Sequence, residues 1–462
     1  MSASGRIDML NGPLWNKILR FALPLALTGI LQQLFNAADI AVVGQFSGGD
    51  GEAAKAAIGA NTPIIHLIIN TFIGIALGTN VFIANAVGSR DDAAVSKAAH
   101  TSVSVSFLAG FVIAAVGELL AEPILSSQNV PENVLPMAVL YFRIYLTGVP
   151  VILLYNFESA IFRGVGNTKT PLIILMLAGV LNVLFNLFFV IMLGMSVAGV
   201  ALATVISNAV SSGLLFFRLL RSEGPTKLSF KKMRPDKRVL LRILRIGVPA
   251  GVQSAVFSGA NMLIQSAINT LGSAVMSASS AAQNLEGIAY FVLNSFGQAC
   301  TTFVGQNYGA GKIDRCKRSL RIAYLEGIAA TAAAIGIILF SGRSLLSLFG
   351  GSDEVIEIGY TRLIIIFTAY FFSLTYDTFS GYLRGFGISA LPALLTMAGI
   401  CGIRITWIYL VFPKYESFKC IMIVYPLSLG TTAVLILGAV LIIRPAKRAK
   451  RAMEKAALNT EQ

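Results

Sequence analysis

Twelve predominantly apolar stretches follow one another along this chain, with mostly short polar loops between them, and that pattern leaves it few ways to fold. They run over about residues 18–46, 58–84, 95–120, 133–162, 170–193, 197–220, 241–270, 279–303, 317–341, 355–383, 389–411 and 419–443. A helix needs roughly 20 apolar residues to cross a hydrocarbon core of about 30 Å. Lipid offers no water to backbone N–H and C=O groups, so spans of this length must satisfy them internally, as helices. Only 13% of the 462 residues are charged, about half the share of a soluble domain. The expected fold is an all-α membrane protein with 12 transmembrane helices. The polar start, MSASGRIDMLNGPLWNK, and the length of the first apolar run argue against a signal peptide.

The net charge of +14 would suit a nucleic-acid partner, but its distribution points to topology instead. Of 36 Lys and Arg, 29 fall in one alternate set of loops: Arg6 to Arg20, Arg90 to Lys97, Arg163 to Lys169, Arg218 to Arg245, Lys312 to Arg321, Arg384, and Arg444 to Lys455. The opposite set holds five, Lys55, Arg343, Arg362, Lys414 and Lys419. The positive-inside rule puts the first set, and with it both termini, in the cytoplasm. The expected location is the inner (plasma) membrane, multi-pass. Anionic headgroups are expected near Arg221 to Arg245 and the C-terminal tail, and no nucleic acid. Four Cys without short paired spacing, and two His, His66 and His100, argue against a disulfide framework or a His-based metal centre.

The polar segment Arg221 to Arg238 divides the chain into halves of six helices, and the halves repeat. YNFESAIFRGVG (Tyr155 to Gly166) aligns with YDTFSGYLRGFG (Tyr376 to Gly387) at an offset of 221, which Pro171 and Pro392, and Gly88 and Gly309, keep. ILRFALP (Ile18 to Pro24) aligns with ILRIGVP (Ile243 to Pro249) at an offset of 225, so about four extra residues are expected in GGDGEAAK, residues 48–55. Six being even, the halves share one orientation. Parallel repeats of this kind are a transporter architecture, with substrate and ion sites near mid-bilayer. The expected division is an N-lobe over 1–220, a basic cytoplasmic linker over 221–240, and a C-lobe over 241–462 with a basic tail.

The first helix holds one charged residue, Asp39, and Gln32, Asn36 and Asp39 share a face at i, i+4, i+7. A carboxylate within the membrane costs about 2.5–3.5 kcal/mol on insertion scales, so it is expected to face protein or a water-filled cavity. The plain alternative is an interfacial Asp that caps its helix. A sheltered carboxylate can take up and release a proton, or hold a cation through its oxygens. Asn182 and Asn186 lie i, i+4 apart in the fifth helix and Thr204 adds an oxygen from the sixth; interhelical glue is the ordinary alternative for such residues. The other acids inside expected helices are Glu158, Glu286, Glu326 and Asp377. Asp377 occupies the repeat position of Asn156, and Asn261 that of Asn36. Gln32, Asn36, Asn156, Asn261, Glu286, Asp377 and Arg404 are candidates for a substrate cavity. The alternative for Glu286 and Asp377 is an ion pair, for example with Arg404. Glu158 is expected to pair with Arg163, and Glu326 with Arg321.

VGQNYGAGK (Val304 to Lys312) invites a phosphate-loop reading, but its glycine spacing is one residue too long and Ile313 stands where Ser or Thr is required. No Ser-His-Asp set, metal-binding His pair or paired carboxylates suggest an enzyme.

The first-helix pattern LPLALTGILQQLFNAADIAVVG, FRGVGNTKTP (Phe162 to Pro171) and VGQNYGAGKID (Val304 to Asp314) resemble the multidrug and toxic compound extrusion (MATE) family, prokaryotic type, of the multidrug/oligosaccharidyl-lipid/polysaccharide exporter superfamily. The resemblance covers roughly 15–445. It implies two six-helix lobes in a V, alternating access driven by an H⁺ or Na⁺ gradient, amphipathic and often cationic small-molecule cargo, no cofactor, and a monomer. It makes Asp39 the first-helix acid and Asn182 and Thr204 the partner positions of a cation-coupling site, with Na⁺ at Asp39, Asn182 and Thr204 as the metal option. Asn186 departs from relatives with aspartate there, which leaves Asp39 the sole acid of the cluster. The expected function is secondary antiport of amphipathic organic cations or drugs. The alternative is a flippase or exporter of a lipid-linked saccharide or other polar metabolite; only Arg143 and Arg404 lie within expected spans to meet phosphates, which disfavours it.

Overall fold

Length and apolarity decide the architecture. The computed structural model describes residues 5–46, 51–128, 130–348 and 352–460, and among them every expected helix is present and none forms a strand. In chain order these are α1 (Leu14–Phe46), α2 (Gly51–Gly88), α3 (Asp92–Ser127), α4 (Leu135–Gly164), α5 (Lys169–Leu187), α6 (Ser196–Leu220), α7 (Lys237–Asn269), α8 (Ser273–Gly309), α9 (Ile313–Ser347) and α10 (Asp353–Gly385). The eleventh span is built from α11 (Ala390–Thr396), a π-turn (Met397–Gly402) and α12 (Ile403–Leu410); α13 (Phe418–Ile443) is the twelfth. A further helix, α14 (Pro445–Thr460), follows Arg444, whose φ of +47° breaks it from α13. α5 likewise runs on through a π-turn, Phe188–Met192. Eleven of the twelve spans are long and apolar enough to cross a membrane; α8, which carries Gln283, Asn284, Glu286, Asn294 and Gln298, is not among them. The loop expected at 48–55 lies partly outside the described residues, and Gly51 to Lys55 is already the first turn of α2.

The helices group into two compact units. One comprises residues up to Arg6, Leu31–Ile83 and Asp92–Leu244. Its core is the apolar faces of α2, α3, α4 and α6, with Ala57, Leu125, Phe142, Leu153 and Val200 fully enclosed. Asn61 Nδ2 donates to Ala138 O at 2.9 Å, and Thr79 and Ser102 hydroxyls meet at 2.9 Å, so α2 is tied to α4 and α3 by polar glue of the kind lipid-embedded helices use. The basic linker docks on the start of α3. His100 Nε2 accepts from Ser229 N–H at 3.0 Å while its Nδ1 meets Ser96 O at 2.7 Å. Thr101 Oγ1 accepts from Asp236 N–H at 3.0 Å, and Lys97 pairs with Asp236 at 3.5 Å. Asp236 also caps α7, and the bond from Val239 N–H, then that from Arg238 N–H and the nearby Lys97, hold its carboxyl below the usual range.

The other unit comprises Ile7–Ile30, Ala84–Asp91 and residues from Arg245 onward. Here α8, α9, α10 and α13 pack around Leu293, Leu363, Ile366 and Phe367. The first part of α1 joins a second cluster, in which Phe21 meets Phe303 edge-to-face at 5.8 Å. The VGQNYGAGK stretch is the end of α8 and a tight turn at Gly311, φ +72°, before α9. Its lysine, Lys312, donates to Leu10 O at 2.9 Å, pinning the N-terminal segment. At the end of α2, Gly88 and Gly309 face each other's helix reciprocally: a Cβ on Gly88 would stand 2.0 Å from Gln306 O, and a Cβ on Gly309 would stand 2.0 Å from Asn85 O. Both pairs keep the repeat offset of 221, so this close backbone approach is duplicated.

Candidate functional site

Asp39 lies near the C-terminal end of α1, 7% exposed, against an apolar cluster that includes Val42, Val43, Val190 and Val200. Burying a carboxylate there requires hydrogen-bond donors, and two helices supply them. Asn182 and Asn186, one turn apart, look out from the same face of α5. Asn186 Nδ2 donates to Asp39 Oδ1 at 2.5 Å and reaches Asn182 Oδ1 at 3.3 Å. From α6, Thr204 Oγ1 lies 3.2 Å from Asp39 Oδ2 and 3.0 Å from Val200 O. One hydroxyl proton serves one of those acceptors at a time. Asn182 Nδ2 donates to Thr204 Oγ1 at 3.4 Å, closing the ring of four side chains. The π-turn that begins two residues after Asn186 is a distortion often found beside functional residues.

Each oxygen of Asp39 thus meets one neutral donor and no cation within salt-bridge range among the described residues. Asn186 Oδ1 is buried without a partner among them, and a turn of that amide would offer it to a protonated Asp39. The side-chain oxygens of Asp39, Asn182 and Thr204 are hard donors, the type of ligand that Na⁺ takes. No group of three His, Cys, Asp or Glu side chains able to hold a metal ion occurs among the described residues, so a single carboxylate carries the charge.

Two tyrosines escaped the sequence reading. Tyr141 and Tyr145 on α4 stack with ring centroids 6.2 Å apart, and the Asp39 carboxylate acts electrostatically on both. Their i, i+4 spacing was the available signal.

The remaining candidates do not join this cluster. On α1, Gln32 is half-buried and Asn36 exposed. Asn156 donates to Ile152 O of its own helix at 2.8 Å. Asn261 Oδ1 accepts from Arg404 Nη1 at 2.7 Å. Asp377 accepts from Asn294 Nδ2 at 2.7 Å.

Several expected pairings are corrected. Glu286 pairs not with Arg404 but with Arg362, at 2.5 and 3.0 Å, and Arg362 also donates to Ser279. Arg362, grouped from the sequence with loop cations, lies inside α10 and is 2% exposed; the carboxylate opposite makes its burial tolerable. Glu158 receives Ser212 Oγ at 3.1 Å instead of forming an ion pair with Arg163, and its other oxygen is buried without a partner among the described residues. Glu326 makes no pair with Arg321; both its carboxyl oxygens are buried and unpartnered among the described residues.

Comparison with known proteins fits this geometry. The MatE family profile matches residues 24–188 and again 249–410. The two blocks start 225 residues apart, the offset of Pro24 and Pro249. The probable multidrug resistance protein YoeA of Bacillus subtilis is 28% identical over 438 residues, covering 92% of this chain and 93% of its own. The FAD transporter of Shewanella oneidensis is 26% identical over 361 residues, 76% of this chain and 78% of its own. A crystal structure of a MATE protein in complex with MaL6 superposes with a TM-score of 0.88 at 22% identity, over 97% of this chain and 100% of that one. The duplicated span pattern, the repeat and the matched profile agree: this chain belongs to the MatE family of membrane transporters and is not an enzyme.

Proposed function

We propose that this protein is a secondary active antiporter that exports amphipathic, often cationic, organic molecules in exchange for H⁺ or Na⁺. Both termini and the linker over 221–240 face the cytoplasm, with an N-lobe over 1–220 and a C-lobe over 241–462 working by alternating access. The observation that carries this reading is the Asp39 carboxylate, buried in lipid-spanning helices and held, among the described residues, by neutral donors from α5 and α6. Such a group is costly to keep charged and gains a counter-charge by taking a proton or Na⁺. Loading the site changes its net charge by one, which is the differential interaction an ion-driven two-state equilibrium requires. Asn182, Asn186 and Thr204 hold the carboxylate and supply further oxygens to the ion. The likeness to YoeA supports drug cargo. A second reading, export of a polar metabolite, is favoured by the likeness to the FAD transporter of Shewanella oneidensis.

Efflux of ethidium from cells under an imposed proton gradient, then under a sodium gradient, tests the reading. Gradient-driven efflux that is lost in Asp39→Asn, at equal expression, supports it, and the effective gradient names the ion. No ethidium movement by the wild type under either gradient overturns drug export; normal pumping by the variant makes Asp39 structural.

A further inference from the structure

The second unit holds a buried cation that its own acids do not neutralise. Arg404, on α12, is 2% exposed. Its Nε donates to Ser428 Oγ at 3.2 Å and its Nη1 to Asn261 Oδ1 at 2.7 Å, both neutral groups. Its Cζ lies 4.5 Å from the ring centroid of Tyr425 and 5.3 Å from that of Phe257. No carboxylate lies within 4.0 Å of it among the described residues, and Nη2 has no hydrogen-bond partner there. Of the buried acids of this unit, Glu286 pairs with Arg362, Asp377 accepts from Asn294, and Glu326 is unpartnered among the described residues; none of the three makes a salt bridge with Arg404 there.

A guanidinium within a membrane span is costly, and the usual remedies are an opposed acid or an anion from outside. Arg362 has the first remedy. Arg404 has neither an acid nor full enclosure by its neighbours, because Asn261, Phe257 and Tyr425 are each only half-buried. The arrangement is a fork of N–H donors behind two aromatic faces, the donor geometry that carboxylate recognition uses. The rings would take the apolar body of the same molecule.

We infer that Arg404, with Asn261, Tyr425 and Phe257, is a binding site for the carboxylate of an aromatic amphiphile carried as cargo. The inference rests on the transport reading only in naming the bound molecule as cargo. The site itself is tested at equilibrium, without any gradient.

The probe pair is rhodamine B, a zwitterion with a free carboxylate, and its ethyl ester, the same aromatic cation with that carboxylate blocked. Binding of each to the purified full chain in nanodiscs is followed by fluorescence polarisation. The wild type is expected to bind rhodamine B about tenfold more tightly than the ester, the order of one charge-assisted hydrogen bond. Arg404→Gln should bring the two dyes to within about twofold of each other while ester binding stays unchanged. Asn261→Asp, which places a carboxylate against Nη1, should also abolish the preference, with the guanidinium retained. Equal wild-type affinities overturn the proposal, and so does a preference that survives in either variant. If neither dye is exported but the tenfold preference holds, coupled export of these dyes fails and the site stands.

Discussion

Asp39 and Asn186, 147 residues apart in the chain, meet at 2.5 Å, Nδ2 to Oδ1. That contact links α1 to α5 and joins the acid of the cluster to the amide that stands where the family resemblance implies an aspartate in some relatives.

Asn186→Asp should therefore change which ion the site prefers. A second carboxylate beside Asp39 adds a strong oxygen ligand for a cation, at the cost of like-charge repulsion when the site is empty. The expected outcome is sodium-dependent efflux with half-saturation about tenfold lower than in the wild type. Asn186→Leu removes the donor and leaves a buried carboxylate short of a bond, a loss of about 1–3 kcal/mol. Efflux should fall by at least about tenfold, read in the same dye assay.

The Glu286–Arg362 pair is buried on both sides, at 8% and 2% side-chain exposure. Removing one partner strands the other charge. Arg362→Met and Glu286→Gln are each expected to cost about 3–5 kcal/mol in folding, while the double variant should recover a large part of that loss. Thermal unfolding of the detergent-solubilised proteins, arranged as a double-mutant cycle, gives the coupling. Additive losses would show that the ion pair is not the unit of stability.

Gly88→Ala and Gly309→Ala each push a methyl to within 2.0 Å of a backbone carbonyl. A backbone cannot rotate aside as a side chain can, so each is expected to lower stability by about 1–3 kcal/mol. Because both act on one seam, the double variant should lose less than the sum of the two. Melting temperature and yield of folded protein read this directly; an unchanged melting temperature in either single variant refutes the close approach.

The linker's attachment to α3 rests on His100, Thr101 and Lys97. His100→Leu combined with Thr101→Val removes both acceptors for linker N–H groups. Tryptic cleavage at Lys227, Lys231 and Lys232 should accelerate several-fold, by the greater opening of a segment that has lost its ties. Equal cleavage rates would mean that the remaining contacts hold the linker.

The helices were legible because lipid permits only one answer to a long apolar run. The same logic singled out Asp39: an acid in such a run must meet something, and Asn186 of α5 and Thr204 of α6 lie within hydrogen-bond distance of its carboxylate. Pairing across distant helices was not legible. Arg362 looked like a loop cation because it stands near the start of α10, and its partner lies 76 residues away on α8, a separation that no periodicity encodes. Glu158 and Arg163 are neighbours in sequence, yet Ser212 on α6 takes the carboxylate, because helix packing brings that hydroxyl to it. α14 was hidden in the basic tail, where charge was read and amphipathicity was not.

The Gly88 and Gly309 contact has a bearing on how such a chain could arise. A point on one copy that meets a second point on the other, with the reverse also true, is the signature of an isologous interface. Two separate half-length chains would form the same seam as a homodimer, each contributing one glycine to the other's carbonyl. At this one seam, inside a single compact unit, the two repeats already meet in a self-complementary way.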